Sequence, residues 1–209
     1  MKKLLHIIAT PRGEESRTLR IAGAFIERFR KKNPACVIEE IDLYKEALPD
    51  LTAKKVDGKY ILLGGKDLPP EYEKAWKEII FHIKRFLSAD GYLISTPMWN
   101  FGIPYVLKHY IDVIAQPKYL FRYTDKGAEG LAKGRKMVVV SSRGGDYSAA
   151  SPMHSSDLLE PYLRTIFGLA GIADIAFINA QPMDALGPKV CEEKIKEAQV
   201  KASEVAENF

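Results

Sequence analysis

The stretch GYLISTPMWNFGIP, residues 91–104, decides how the chain is read. Its first five residues form a short, almost wholly apolar run, the pattern of a strand covered on both faces. Pro97, Gly102 and Pro104 then mark a turn, with Met98, Trp99 and Phe101 crowded around Asn100. Apolar groups at a turn normally cost solubility, so their presence asks for a reason. After Pro104 a helix follows, with Leu107, Tyr110, Ile111 and Ile114 along one side. The unit is strand, turn, helix.

The same unit recurs along the chain. LLHIIAT (4–10) is a second buried-type strand, followed by the loop PRGEE and by Ser16 as a helix N-cap. Leu19, Ala22, Phe25, Ile26 and Phe29 repeat at helical spacing until Asn33-Pro34 ends the helix. ACVIEEIDL (35–43) reads as a strand, and residues 44–68 as irregular with a short helix near 51–63. Pro69-Pro70 opens a helix whose apolar stripe runs through Trp76, Ile79, Ile83 and Phe86. The YLFRYTDKGAEGLAKGR segment reads as a polar connection, KMVVVSS (136–142) as a buried strand ending in Arg143-Gly144-Gly145. A helix near 156–168, a strand at 174–180 and a charged helix at 189–206 complete the order. Strands alternating with helices five times predict an α/β, doubly wound, five-stranded parallel sheet with helices on both faces. No linker or repeat divides residues 1–209, so one domain is expected.

Composition narrows the function. With 209 residues, 46% hydrophobic and 28% charged, the chain has enough apolar content for a sizeable core. The 31 basic and 27 acidic side chains leave a net charge of only +4, with no basic block interleaved with aromatics. Nucleic acid is therefore not an expected partner. MKKLLHIIA resembles the start of a signal peptide, but the run is short, contains His6 and leads to no small-residue cleavage site. No apolar run is long enough to span a bilayer. Cys36 and Cys191 form no CxxC or zinc-like spacing, and a cytoplasmic, reducing compartment is the expectation. His6 falls in an apolar strand, while His82 and His109 fall on helices without metal partners, so no metal site is expected. His154, in SPMHSS, lies beside the expected ligand mouth.

In doubly wound sheets ligands sit beyond the carboxyl ends of the strands, where strand order reverses. Three post-strand loops are unusual here: TPRGEESRT (10–18), PMWNFG (97–102) and SRGG (142–145). In the order 2-1-3-4-5 they are neighbours, so one ligand can touch all three. The first offers the hydroxyls of Thr10, Ser16 and Thr18, with Arg17, at a helix start suited to a phosphate. It carries no GxxxxGK[ST], and no GxGxxG follows a strand, which argues against a nucleoside triphosphate and the usual dinucleotide fingerprint. In the second, Met98, Trp99 and Phe101 suit the wall of a flat apolar ligand, with Asn100 bonding its polar edge. In the third, Gly144 and Gly145 permit close backbone approach, with Arg143 and Ser142 beside them. Together the loops point to a phosphorylated, flat heteroaromatic ligand.

At these residues the chain resembles the FMN-dependent NADH azoreductases, also described as NADH:quinone oxidoreductases, which have a flavodoxin-like fold. PMWNFGIP, FRYT (121–124), GAEGL (127–131), SRGGDYS (142–148), PYL (161–163) and GIAD (171–174) carry the resemblance, in order, over nearly the whole length. The resemblance implies that Thr10, Ser16, Arg17 and Thr18 hold the FMN phosphate. It implies that Met98, Trp99, Asn100 and Phe101 line the isoalloxazine, and that Ser142, Arg143, Gly144 and Gly145 close the site. It further implies a homodimer, with Tyr123 near the substrate and no side chain required as an acid or base. NADH or NADPH would reduce the flavin, and a quinone or azo compound would then reoxidise it in a ping-pong cycle. The chain departs from the family pattern at Arg17, where relatives can have an uncharged polar residue, and at Thr10, where they often have Ser. Trp99 stands for the Tyr of some members, and Leu169 where some place a Phe over the flavin. The rival readings are a flavodoxin-type electron carrier, a hydrolase of the acyl carrier protein phosphodiesterase label using Ser141 or Ser142, and an FAD-dependent quinone reductase of the same fold.

Overall fold

Strand β1 (Lys3–Ile8) is paired on both edges, which explains why KLLHII is apolar nearly throughout. On one side His6 lies opposite Glu40 of β2 (Val37–Asp42), and on the other Ile8 lies opposite Ser95 of β3 (Gly91–Pro97), both pairings parallel. In this computed structural model, which describes residues 1–209, β3 then pairs with β6 (Lys136–Ser142) and β6 with β7 (Asp174–Ala180). The order β2-β1-β3-β6-β7 is the expected 2-1-3-4-5, with a separate hairpin interposed in sequence.

Alternate residues of the strands feed two cores. Leu4, Leu93, Val138, Val140 and Ile178 pack against α1 (Arg17–Lys32) and α6 (Gly187–Asn208). On the opposite face, Leu5, Ile7, Ile94 and Val139 pack against α3 (Pro70–Leu87), α4 (Tyr105–Ile114) and α5 (Leu159–Leu169). Each fully buried side chain of this size contributes about 1.5–3 kcal/mol. Phe86 of α3 stacks on Tyr92 of β3 at 4.3 Å between centroids and faces Phe167 of α5 at 6.1 Å, joining two helices to the sheet. At the chain's end Phe209 meets Phe25 and Phe29 edge-on, locking α6 to α1.

The expected short helix in 44–68 is α2 (Ala53–Leu63), where Gly58 lets the backbone press on the buried Trp76 ring. The segment read as a polar connection contains an antiparallel hairpin, β4 (Phe121–Thr124) and β5 (Gly127–Gly130). Its strands are four residues long and mostly exposed, so no apolar alternation announces them. Thr124 holds the turn, its Oγ1 accepting from the Lys126 N–H and donating to the Gly127 carbonyl. No helix is long and apolar enough to cross a membrane.

Candidate functional site

The carboxyl ends of β1, β3 and β6 bring the three unusual loops together. After β1, a single 3-10 turn at Gly13–Glu15 delivers Ser16 in an extended conformation, with its Oγ accepting from the Leu19 N–H at 3.3 Å. Ser16 therefore caps α1, as its place in the sequence implies. Arg17 and Thr18 form the first turn of that helix, whose opening N–H groups have no carbonyl below them. Thr18 reaches across to the end of β6, where its Oγ1 lies 2.8 Å from Ser142 Oγ. Ser142 also accepts the Met98 N–H through its carbonyl, at 2.9 Å. One serine thus joins all three loops.

Between them lies a cavity of about 170 Å³. Thr10, Ser16, Arg17 and Thr18 line one side, Met98 and Trp99 a second, and Ser142, Arg143 and Gly144 a third. Three hydroxyls, a guanidinium and a helix N-terminus suit a phosphate monoester in charge and hydrogen-bonding capacity. Asn100, Phe101 and Gly145 do not line this cavity; they stand beside it in the adjoining turns. Tyr123 is 64% exposed on β4, outside the cavity, with its ring edge-on to Phe121.

The turn after β3 is held by reciprocal bonds between Trp99 and Gly102, each N–H donating to the other's carbonyl at 3.0 Å. Its two central residues, Asn100 and Phe101, have φ of +47° and +70°. Asn accepts that region readily, whereas a bulky aromatic there is strained. Trp99 is 38% and Phe101 44% exposed. Trp99 leans edge-on to Tyr44, which meets Tyr105, and Phe101 leans on Tyr147 at 6.3 Å. The crowded aromatics are therefore a supported rim at the sheet edge.

Arg143 is the least expected member. Its side chain is only 1% exposed, and Nη1 donates to Asp157 Oδ2 at 2.6 Å. Nε donates to Ser141 Oγ, which in turn donates to Asn179 Oδ1. Nη2 has no hydrogen-bond partner and lies 3.8 Å from Glu160 Oε2. Asp157 also accepts the N–H groups of Leu159 and Glu160 through Oδ1 and so caps α5. The guanidinium is spent on the protein's own frame.

Four residues that sequence reasoning did not assign to the site belong to its wall. Arg12, Pro97, Met183 and Asp184 also line the cavity, the last two arriving from the segment after β7. The carbonyl of Gly144 accepts the N–H groups of Met183, Asp184 and Ala185, so this segment follows the SRGG loop closely. Arg17 Nη1 donates to Asp184 Oδ1 at 2.6 Å, and this bond is the main cause raising the Arg17 pKa above its ordinary value. Nothing local in QPMDA signals a site, since only the tertiary fold brings it there.

None of the four histidines lines the cavity. His6 Nε2 is 2.8 Å from Ser95 Oγ and Nδ1 3.3 Å from Glu40 Oε1, a bond that holds the Glu40 carboxyl below the usual range. The order Ser, His, carboxylate has the look of a hydrolytic triad, but Ser95 is wholly buried between strands and meets no substrate. His82 is buried, and desolvation pushes its pKa down. His109 bonds the Pro49 carbonyl and His154 the Tyr147 carbonyl. Ser141 and Ser142 have no histidine partner among their hydrogen bonds.

A family model described as flavodoxin-like fold matches residues 2–206. An FMN-dependent NADH:quinone oxidoreductase of Nitratidesulfovibrio vulgaris (strain DP4) is 36% identical over 209 residues, covering all of both chains. One of the same description from Clostridium perfringens (strain SM101 / Type A) is 40% identical over 210 residues, again covering both chains completely. Among solved structures, an azoreductase from Bacillus anthracis str. Sterne superposes with a TM-score of 0.89 at 30% identity, covering 100% of each chain. An FMN-dependent NADH-azoreductase from Bacillus anthracis str. Ames Ancestor, in complex with FMN, gives a TM-score of 0.83 at 30% identity, covering 99% of this chain and 100% of that one.

Proposed function

The chain belongs to the flavodoxin-like family of FMN-dependent NADH:quinone oxidoreductases, and from that premise we propose that it transfers reducing equivalents from NADH to quinones and azo compounds. The observation that carries the proposal is the meeting of three loops at Ser142, where a phosphate seat adjoins an aromatic rim. When bound, FMN would supply the chemistry, taking a hydride from NADH and passing it to the acceptor in two half-reactions of a ping-pong cycle.

The chain's own residues bind, orient and shield. Thr10, Ser16 and Thr18 would donate hydroxyl hydrogen bonds to the phosphate, with Arg17 opposing its charge at the start of α1. The small cavity holds no more than that end of the cofactor, and the flat ring would lie over the 97–102 turn. There Met98, Trp99 and Phe101 supply apolar surface, and Asn100 with its backbone neighbours the polar edge. Backbone N–H groups around Gly144 and Gly145 would stabilise negative charge on the reduced ring, an electrostatic role that needs no ionisable side chain. Ser142 completes the floor. Arg143 serves the site through its neighbours, since its guanidinium is bound to Asp157.

Phe101, Tyr105 and Leu158 are exposed beside the rim and Tyr123 is exposed on the hairpin, and this supports a homodimer in which a second copy covers these groups. Tyr123 would then shape the acceptor's pocket from the hairpin. Two unpaired cysteines support a cytoplasmic location.

The test is an absorption spectrum of the purified protein, before and after anaerobic NADH. The expected result is a flavin band that bleaches and returns when a quinone is added. A band that NADH leaves untouched would favour an electron carrier, and a colourless protein that cannot be reconstituted with FMN would overturn the proposal.

A further inference from the structure

The geometry points to Asp184 as the residue that limits how tightly the phosphate seat holds its ligand, by competing with the phosphate for Arg17. This rests on the reading of the cavity as the seat of the FMN phosphate. Arg17 opens α1, while Asp184 lies in the segment between β7 and α6, and both line the same small cavity. Their ion pair at 2.6 Å spans it, joining loops 167 residues apart in sequence. A Cβ built on Gly144 would lie 3.0 Å from Asp184 Oδ2, so the carboxylate also abuts the SRGG loop. It is held there by the Asp184 N–H, which donates to the Gly144 carbonyl at 3.0 Å.

A seat for a dianion would be expected to carry free cations. Here each of its three guanidinium groups already faces a carboxylate: Arg17 meets Asp184, Arg12 lies 3.5 Å from Glu15, and Arg143 is bound to Asp157. Glu192 acts on Arg17 as well, though its own hydrogen bonds go to Arg20. Only Asp184 combines a direct bond to Arg17 with a place on the cavity wall. An incoming phosphate must therefore displace this carboxylate from the guanidinium or share it, with two like charges close together. The Asp184 side chain is 65% exposed, so it can swing into water without disturbing the core. The pair thus acts as a built-in competitor, and it would make the cofactor more readily exchanged than the hydroxyls and helix terminus alone imply.

The test uses the full chain stripped of flavin, titrated with FMN and separately with riboflavin, which lacks the phosphate, while flavin fluorescence is followed. Asp184→Asn is expected to lower the Kd for FMN about fivefold, as freeing Arg17 from an ion pair at a hydrated surface should. Its Kd for riboflavin should stay within about twofold of the parent's, the spread expected of an uncharged ligand. In an Arg17→Ala background the same substitution should lose most of its effect, because nothing is left to compete for. An unchanged or weaker FMN affinity in Asp184→Asn would overturn the inference, assigning Asp184 to orient Arg17 or to no role. Equal tightening of FMN and riboflavin would overturn it too, since the effect would not lie at the phosphate. Failure of the parent chain to bind either flavin would instead sink the underlying reading of the seat.

Discussion

Phe101 holds φ at +70°, a conformation that costs an L residue about 1–2 kcal/mol. Its ring is 44% exposed and touches only the rim, leaning on Tyr147, while its carbonyl accepts the Leu158 N–H at 3.0 Å. Such strain at an exposed turn position is a feature that stability alone would remove. Phe101→Gly would relieve the backbone and lose little packing, offset by roughly 0.5–1 kcal/mol of added chain entropy in the unfolded state. Urea unfolding should therefore find the variant within about 1 kcal/mol of the parent, against the ~3–5 kcal/mol typical of truncating a buried Phe. The same variant should lose about tenfold in kcat/KM with NADH and a quinone, through loss of the apolar wall. A large drop in stability with full activity would show that the ring serves the fold and not the site.

At the level of elements, the β4–β5 hairpin depends on one close approach. A Cβ on Gly130 would lie 2.1 Å from the Gly171 nitrogen, and the Ala132 N–H donates to the Ala170 carbonyl at 2.8 Å. Backbone therefore presses on backbone where GAEGL meets GIAD, and neither side can yield by rotating a side chain. Gly130→Ala should cost about 1–3 kcal/mol through overpacking. By differential scanning calorimetry that is a fall of about 3–10 °C for a chain of this size. Flavin binding should persist, because no hairpin residue lines the cavity beside Ser142; an unshifted melting temperature would refute the contact. The hairpin also shows where sequence reading stops. Buried strands such as KMVVVSS and DIAFINA announce themselves by continuous apolar runs, and helices such as α1 by caps and a stripe. FRYT and GAEG do neither, since their stability comes from docking onto α5 and not from their own pattern.

Across the whole molecule, the site's shape depends on a buried knot that composition could not reveal. SRGG was legible as a loop after a buried strand, but not the direction of Arg143, because its partner Asp157 stands 14 residues away beyond an irregular segment. Asp184 was silent for a similar reason, lying beyond β7 and meeting Arg17 only in the folded chain. The knot ties four parts together. Arg143 donates its backbone N–H to the Ala180 carbonyl at the end of β7, and Asp157 caps α5 while neighbouring Leu158 bonds Phe101. Removing the guanidinium alone would strand a buried carboxylate, so Arg143→Met should cost about 3–5 kcal/mol. Asp157→Asn keeps an oxygen for the α5 cap but removes the charge, and the double variant Arg143→Met/Asp157→Asn should therefore be more stable than Arg143→Met alone. Urea unfolding of the full double-mutant cycle measures this directly. A double variant less stable than Arg143→Met would mean that the carboxylate is satisfied without Arg143. The loops would then owe their alignment to the Ser142 hydrogen bonds, and the flavin seat would survive loss of the knot.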